Sequence, residues 1–481
     1  MKDYSVYFKK PSLKEARRRS REPSNINYDG LYVPDDMHGI GKGKKYYIRT
    51  YGCQGNQADG ETISGILELL GYEKSDNFEN SHIILLNTCA IRENAHNKVF
   101  GEVGALKKLK ANNPEIVIGV CGCMAQEEGV VEKLLRTYPQ VDLIFGTHNI
   151  NRIPILLREA LFSKEKVVEV LSIAGEVIEN LPVARESKLK AWVNIMFGCD
   201  KFCTYCIVPF TRGKERSRLK EDIISEVEGL VKDGYQEVTL LGQNVNAYGQ
   251  DLDTGYDFAN LLEEVAKTGI PRIRFVTSHP WNFSDEMIRV IAEYDNIMPY
   301  IHLPIQSGDD DILAKMSRRY TVEEYKGLYY KLRNRVKNCS ITTDIIVGFP
   351  GESEAQFENT LKLVKELDFD SAYTFIYSPR EGTPASKMRD DVTHDDKKVR
   401  LQKLIKEVSA SALKINKEYV GRTLKVLVEG TSKKNEKILS GYSEENKLVN
   451  FKGRKDDIGK IIKVKITGAK TWTLQGEQVD G

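Results

Sequence analysis

Residues 197–218 read FGCDKFCTYCIVPFTRGKERSR and set Cys199, Cys203 and Cys206 within eight positions, with no fourth cysteine beside them. A structural zinc site wants four protein ligands. Iron–sulfur clusters take cysteine thiolates, normally one per iron, so three thiolates on a four-iron cluster leave one iron free to bind something else. On that reading the missing ligand is an open coordination position. The stretch closes an apolar run, AWVNIMFG (191–198), and five more such runs follow: EVTLLGQN, RIRFVTS, YIHLPIQ, ITTDIIVGF and AYTFIYS. Helical patterns such as EDIISEVEGLVKDG and SEAQFENTLKLVKEL lie between them. This alternation predicts a partial or full α/β barrel over residues 191–418, with the cysteine loop at the end of its first strand.

Upstream, the alternation has another frame. KYYIRT (45–50), HIILLNT (82–88), EIVIGV (115–120) and VDLIFGT (141–147) read as strands separated by helical patterns, the last near INRIPILLREALF. The strands are apolar on both faces, which predicts a parallel sheet covered on both sides by helices, a flavodoxin-like domain over 45–162. Residues 163–190 read as a linker, and residues 1–44 as a basic, mostly flexible extension. After residue 418 the texture changes to short strands and turns without helices: RTLKVLVEG, EKILSGYS, KLVNFKG, KIIKVKITGAK and TWTLQGEQV. Residues 419–481 therefore predict a small OB-like barrel. The fold class is α/β with this all-β module appended.

Cys53, Cys89 and Cys123 each sit just past one of the first three strands. Parallel α/β sheets place ligands at that edge, so the three thiols can converge there as a metal site. Cys121 also precedes this loop, and spacing alone does not choose between the two cysteines of CGC. Charge is uneven. The chain carries +2 overall, but residues 1–44 carry +4 and residues 419–481 carry +5, leaving −7 for the body. Two basic ends on an acidic body suggest an anionic macromolecular partner. No apolar run approaches the length that spans a bilayer, and the basic N-terminus lacks the apolar stretch of a signal peptide. The expected location is cytoplasmic, where eight cysteines favour metal ligation or catalysis over disulfides.

The C-x-x-x-C-x-x-C spacing at the head of six β-α units, with Tyr205 before the third cysteine, resembles the radical S-adenosylmethionine (SAM) superfamily. YGCQ (51–54), NTCAIRENA (87–95), GCMAQ (122–126), LLGQNVNAYG (240–249), LPIQSG (303–308), DIIVGFPGE (344–352) and a C-terminal module similar to a TRAM domain narrow the resemblance to the methylthiotransferase family. PFTRG and the basic extension are most similar to its tRNA-modifying branch. The resemblance implies two [4Fe–4S] clusters, a radical one on Cys199, Cys203 and Cys206 and an auxiliary one on Cys53, Cys89 and Cys123, with Cys121 a bystander. It implies SAM as cofactor and methyl donor, and methylthiolation at carbon 2 of an isopentenyl-modified adenosine beside the tRNA anticodon. It further implies a flavodoxin or ferredoxin as reductant; apart from the resemblance, no membrane partner is expected, and a monomer is the favoured state. Where the family usually reads Met and often Ser, this chain has Gly55 and Gly60, which loosen the backbone beside Cys53.

An aromatic C–H at carbon 2 of adenine is beyond ordinary side-chain chemistry, so a cofactor-derived radical is a sensible means. Candidates to contact SAM are Gln243, Ser278, Gln306 and Ser307 at later strand ends, and Gly348, where adenine can approach the backbone. Arg318 is a candidate partner for the SAM carboxylate or an RNA phosphate, with a surface salt bridge as the plain alternative. In the terminal barrel, Tyr442, Phe451 and Trp472 are candidates to stack on unpaired bases, with core packing expected for at least two. His82, His96, His148, His279 and His302 lack metal-like pairing and read as structural. Two other functions fit: the same chemistry on a threonylcarbamoyl-type adenosine or a ribosomal-protein aspartate, and a non-catalytic zinc protein that binds RNA.

Overall fold

A computed structural model describes residues 13–19, 25–90, 93–163, 165–170, 176–432 and 435–479. The N-terminal part comprises α1 (Leu13–Arg19), β1 (Asn25–Asn27), β2 (Lys45–Tyr51), α2 (Gln54–Leu69), β3 (Glu73–Lys74), β4 (Ile83–Thr88), α3 (Glu93–Asn112), β5 (Val117–Cys121), α4 (Glu128–Thr137), β6 (Leu143–Phe145), α5 (Ile153–Phe162), β7 (Val167–Glu169) and β8 (Glu176–Ile178). Its six-stranded sheet has the order β3-β2-β4-β5-β6-β7 and is parallel throughout. Every residue of β4 and β5 is buried, as a strand covered on both faces requires. Two apolar clusters, one on each face, hold the helices against the sheet. Strand order reverses between β2 and β4, which makes the loops after these strands the natural ligand crevice.

Two expectations need correction here. The supposed linker 163–190 supplies β7 to the sheet and β8, which pairs with β1 in parallel. The supposed flexible extension is, in its described residues from 25 onward, built into the fold: Met37 is wholly buried in the apolar cluster beneath the sheet, with Leu31, Val33 and Ile40 against it. Residues 1–12 and 20–24 lie outside the described residues.

The central part comprises β9 (Lys190–Asn194), β10 (Met196–Phe197), α6 (Val208–Thr211), β11 (Arg216–Ser217), α7 (Lys220–Lys232), β12 (Glu237–Leu241), α8 (Phe258–Lys267), β13 (Ile273–Phe275), α9 (Asp285–Glu293), β14 (Tyr300–His302), α10 (Asp310–Lys315), α11 (Val322–Arg335), β15 (Ser340–Val347), α12 (Glu354–Leu367), β16 (Ser371–Ile376) and α13 (His394–Glu418). Strands β9, β12 and β13 form one parallel sheet and β14, β15 and β16 another. A parallel bridge between Ile273 and Ile297 carries the first sheet toward the second, giving a partial barrel around one large apolar core. The short hairpin β10–β11 stands at its mouth and carries the cysteine loop.

The chain ends in β17 (Thr423–Ser432), β18 (Asn435–Ser443), β19 (Leu448–Lys452), β20 (Ile461–Ala469) and β21 (Leu474–Gln478), a closed barrel ordered β17-β18-β19-β21-β20. The β19–β21 pair is parallel within an otherwise antiparallel barrel, as in an OB-type five-stranded closure. This barrel is clamped to the central part. Arg272 donates to the carbonyls of Tyr442 (3.0 Å) and Ser443 (2.7 Å), and Arg274 to those of Ser443 (2.7 Å) and Glu444 (3.1 Å). Buried Glu237 accepts from Arg274 Nε at 2.9 Å and forms an ion pair with Arg272 Nε at 3.2 Å. Of the three aromatic candidates only Phe451 lies in the barrel core; Tyr442 sits at the junction with Lys190 over its ring, and Trp472 is 53% exposed. The expectation that two would be core is corrected accordingly. Among the described residues no helix is long and apolar enough to cross a membrane.

Candidate active site

The loops after β2, β4 and β5 meet because glycine stands where each must pass close to the next. Gly52 has φ +150°, and a Cβ there would lie 2.5 Å from that of Cys89. Gly122 has φ +91°, and its Cβ would lie 2.4 Å from Asn87 Oδ1. Only glycine tolerates both demands. Cys53 then caps the N-terminus of α2. Buried Asn56 ties the loops together: its Oδ1 accepts from the Cys53 thiol at 3.3 Å, and its Nδ2 lies 3.8 Å from Cys123 Sγ and 3.5 Å from Asn87 Oδ1. A hydrogen bond from Cys89 and, against burial, the nearby Arg212 guanidinium lower the Cys53 thiol to about 5. Burial raises Cys123 to about 11 despite the same guanidinium. Cys121 points away, buried in the apolar cluster under the sheet.

Cys199, Cys203 and Cys206 lie on the loop after β10. The loop is closed by the Cys199 amide donating to Gly213 (3.1 Å) and that of Cys206 to Cys203 (2.9 Å). Phe202, in the left-handed region at φ +50°, turns the chain between the first two. The Thr204 hydroxyl donates to the Lys315 carbonyl at 2.8 Å, anchoring the loop to the barrel wall. Desolvation raises Cys199 well above an ordinary thiol and Cys206 to about 12. Such thiols stay protonated unless a cation draws the proton off, which is the work of a ligated metal.

The loops that carry the two trios meet at a seam. Cys123 shares one apolar cluster with Phe202 and Ile207 of the second loop, with Ala90 beside Cys89, and with Phe210 and Ala16 of α1. Arg212 crosses the seam: its Nε donates to Cys123 Sγ at 3.1 Å and its Nη2 to Asp59 Oδ2 at 2.5 Å. Burial opposes its charge, but Asp59, Cys123 and Cys53 more than offset this and move its pKa up. A separate cavity of about 1000 Å³ opens behind Arg212, lined by Asp59, His148, Arg185, Phe197 and Arg216 but by none of the six cysteines.

Among the described residues no three His, Cys, Asp or Glu could hold a single metal ion. A lone zinc needs all its donors around one point, whereas a four-iron cluster gives each thiolate an iron of its own. Three cysteines on each of two loop systems, all free thiols, are a donor set that fits such a cluster.

The SAM candidates are spread around the barrel mouth. Gln243 Oε1 accepts from the Gly198 amide at 2.5 Å, directly before the cysteine loop. Ser278 and Gln306 are buried, and among the described residues Ser278 Oγ and Gln306 Oε1 have no hydrogen-bond partner, the mark of polar groups awaiting one. Ser307 is wholly buried, its hydroxyl accepting from the Asp309 amide at 3.3 Å. Gly348 has φ +68° and its missing Cβ would meet the Lys397 stem at 2.3 Å, so it is closed by that side chain rather than open to a ring. Arg318 is buried, not a surface residue: it donates to Pro304 O (2.8 Å) and Tyr320 (2.8 Å), with Nη1 3.5 Å from Cys203 Sγ. The sequence reading missed Arg212, Asp59 and Asn56. They stand in PFTRG and YGCQGNQADG beside the cysteines, but nothing in those strings says that they meet.

Family models match the chain in three places: the radical SAM superfamily at residues 193–364, the "Uncharacterized protein family UPF0004" at 45–146 and the TRAM domain at 417–479. The chain is 58% identical over 471 residues to a tRNA-2-methylthio-N(6)-dimethylallyladenosine synthase of Oceanobacillus iheyensis, covering 98% of this chain and 91% of that one. It is 58% identical over 483 residues to the protein of that name in Bacillus subtilis, covering 99% and 95%. Among solved structures, the radical SAM methyltransferase TsrM of Kitasatospora setae superposes with a TM-score of 0.52 at 14% identity, over 71% of this chain and 75% of that one. That likeness is one of fold.

Proposed function

The chain belongs to the tRNA-2-methylthio-N(6)-dimethylallyladenosine synthase family of radical SAM methylthiotransferases, and from this we propose that it places a methylthio group on carbon 2 of isopentenyl-modified adenosine 37, beside the anticodon of tRNA. The observation that carries the reading is the seam: Cys123 of one trio shares an apolar cluster with Phe202 and Ile207, the residues that flank Cys203 and Cys206 of the other. When bound, one [4Fe–4S] cluster on Cys199, Cys203 and Cys206 would supply the electron that cleaves SAM, and a second on Cys53, Cys89 and Cys123 would supply the sulfur.

The chain's own residues do the rest. Phe202, Ile207 and Phe210 keep water out of the seam, protecting a radical from quenching. Arg318 and Tyr320 stiffen the wall behind Cys203. Ser278, Gln306 and Gln243 offer polar atoms to SAM at the barrel mouth. The basic terminal barrel holds the RNA backbone through phosphate contacts, with exposed Trp472 available to an unpaired base. The enzyme works in the cytoplasm as a monomer, with a flavodoxin or ferredoxin as reductant.

Two measurements test this. Anaerobically purified protein should contain iron and acid-labile sulfide for two clusters, falling to one when Cys199, Cys203 and Cys206 are all changed to Ala. A colourless protein containing zinc instead would sink the cluster assignment. Digested tRNA from cells lacking the protein should lose the 2-methylthio derivative of isopentenyladenosine. Loss of methylthio-threonylcarbamoyladenosine instead, or no change at all, would overturn the substrate.

A further inference from the structure

We propose that Arg212, carried by the radical domain, is the positioning residue of the auxiliary cysteine trio in the N-terminal domain. The proposal rests on the reading that Cys53, Cys89 and Cys123 hold a cluster.

Arg212 directly follows α6 and comes six residues after Cys206, so it is part of the segment that carries the radical trio. Its side chain nevertheless ends in the other domain, 3.1 Å from Cys123 Sγ and 2.5 Å from Asp59. Asp59 lies on α2, whose N-cap is Cys53. One planar guanidinium therefore reaches a ligand of the auxiliary trio and the helix that begins at another ligand. The backbone beneath is fixed too: Thr147 Oγ1 donates to the Thr211 carbonyl at 2.9 Å, and Arg216 Nη2 to the Arg212 carbonyl at 3.2 Å. Arg212 and Asp59 are both buried, so little water screens the pair.

Two consequences follow from the chemistry. A cationic N–H aimed at a ligand sulfur stabilises the more negative, reduced state of a cluster and raises its potential. Because the same side chain belongs to the radical loop, it also sets where the auxiliary centre stands relative to the radical one. Lysine would keep the charge but not the fork that reaches carboxylate and sulfur together.

The test uses the full chain with Cys199, Cys203 and Cys206 changed to Ala, so that the auxiliary centre alone is read. Into this parent go Arg212→Gln and Arg212→Lys. Iron and sulfide per chain and the midpoint potential, from an EPR-monitored titration, are measured for each. The Gln variant should shift to a more negative potential and the Lys variant should lie between it and the parent. In the chain with all six cysteines, the ratio of 5′-deoxyadenosine to methylthiolated product should rise about ten- to a hundredfold for Gln and be partly restored by Lys. An unchanged potential and ratio, with only the unfolding midpoint lowered, would make Arg212 a mere interdomain pin and overturn the proposal. If Arg212→Gln does not fold, Asp59→Asn leaves the cation present but unpinned and decides by the same two readouts. A parent without any cluster overturns the underlying reading, and is told apart because it appears before Arg212 is touched.

Discussion

Arg318 Nη1 lies 3.5 Å from Cys203 Sγ while its other nitrogens are held by Pro304 O and Tyr320. A buried cation fixed at three points behind a thiol is part of the wall that shapes the radical site, and it leaves little freedom to swing toward solvent. Arg318→Ala removes a charged donor from the Pro304 carbonyl, which keeps the Tyr320 hydroxyl at 3.2 Å, and should cost about 1–3 kcal/mol of stability. Chemical denaturation measures that cost, and calorimetric titration with SAM measures the accompanying loss of affinity. Arg318→Lys should recover the charge but not the affinity. Full affinity in the Ala variant would place the residue outside the SAM site.

The two glycines beside Cys53 behave differently. A Cβ on Gly55 would sit 3.6 Å from Arg212 Nη2 and 3.7 Å from Cys53 Sγ, ordinary contact distances. A Cβ on Gly60 would sit 2.8 Å from Thr50 Oγ1. Gly55→Met should therefore keep its iron content and fold stability, whereas Gly60→Ala should lose about 1–3 kcal/mol through overpacking. Thr50→Ala in the same chain should relieve most of that loss, a coupling that a double-mutant cycle by urea denaturation would detect.

Glu237 is buried and depends on Arg272 and Arg274 together. Changing both arginines to Ala strands its carboxylate and frees the terminal barrel. The expected loss is about 3–5 kcal/mol. Limited proteolysis should then cut near residues 419–422, where α13 ends and β17 has not begun. Wild-type resistance there would mean that other contacts hold the barrel.

His279 gives a pH dependence. Burial first, then Arg318 and Lys201, depress its pKa from 6.5 to about 2, while its Nδ1 accepts from the Trp281 amide at 3.3 Å. The folded pKa lies below the unfolded one, so the unfolded state takes up the proton first. The stability that comes from keeping the ring neutral is present above pH 6.5 and is lost as pH falls toward 2, by at most about 1.4 kcal/mol per pH unit. Urea unfolding at successive pH values below 6.5 should show this slope in the wild type. It should be flatter in His279→Asn, whose amide oxygen can still accept from Trp281.

The alternation of strand and helix was legible because strands buried on both faces leave unbroken apolar runs such as IILLNT and VIGVC. β3 and β7 were not, since two or three residues carry no period, and β1 finds its partner β8 only through the tertiary fold. The cysteine loop at 199–206 stood out by its spacing, but spacing left Cys121 and Cys123 undecided, and only the fold sets Cys121 into the apolar cluster under the sheet. Arg212 and Asp59 were not, because 153 residues separate them and only domain docking brings them together. Phe451 and Trp472 look alike as aromatics in short strands and turns, yet Phe451 points inward from β19 and Trp472 stands exposed in the turn between β20 and β21.

The grip of Arg272 and Arg274 on the carbonyls of residues 442–444 makes the span between the terminal barrel and the cysteine seam a rigid gauge rather than a tether. An RNA seated on that barrel presents whichever nucleotide lies one gauge-length away. Under the proposed function, selection of the modified position would then be partly a matter of measured distance, set by the protein before any base is recognised.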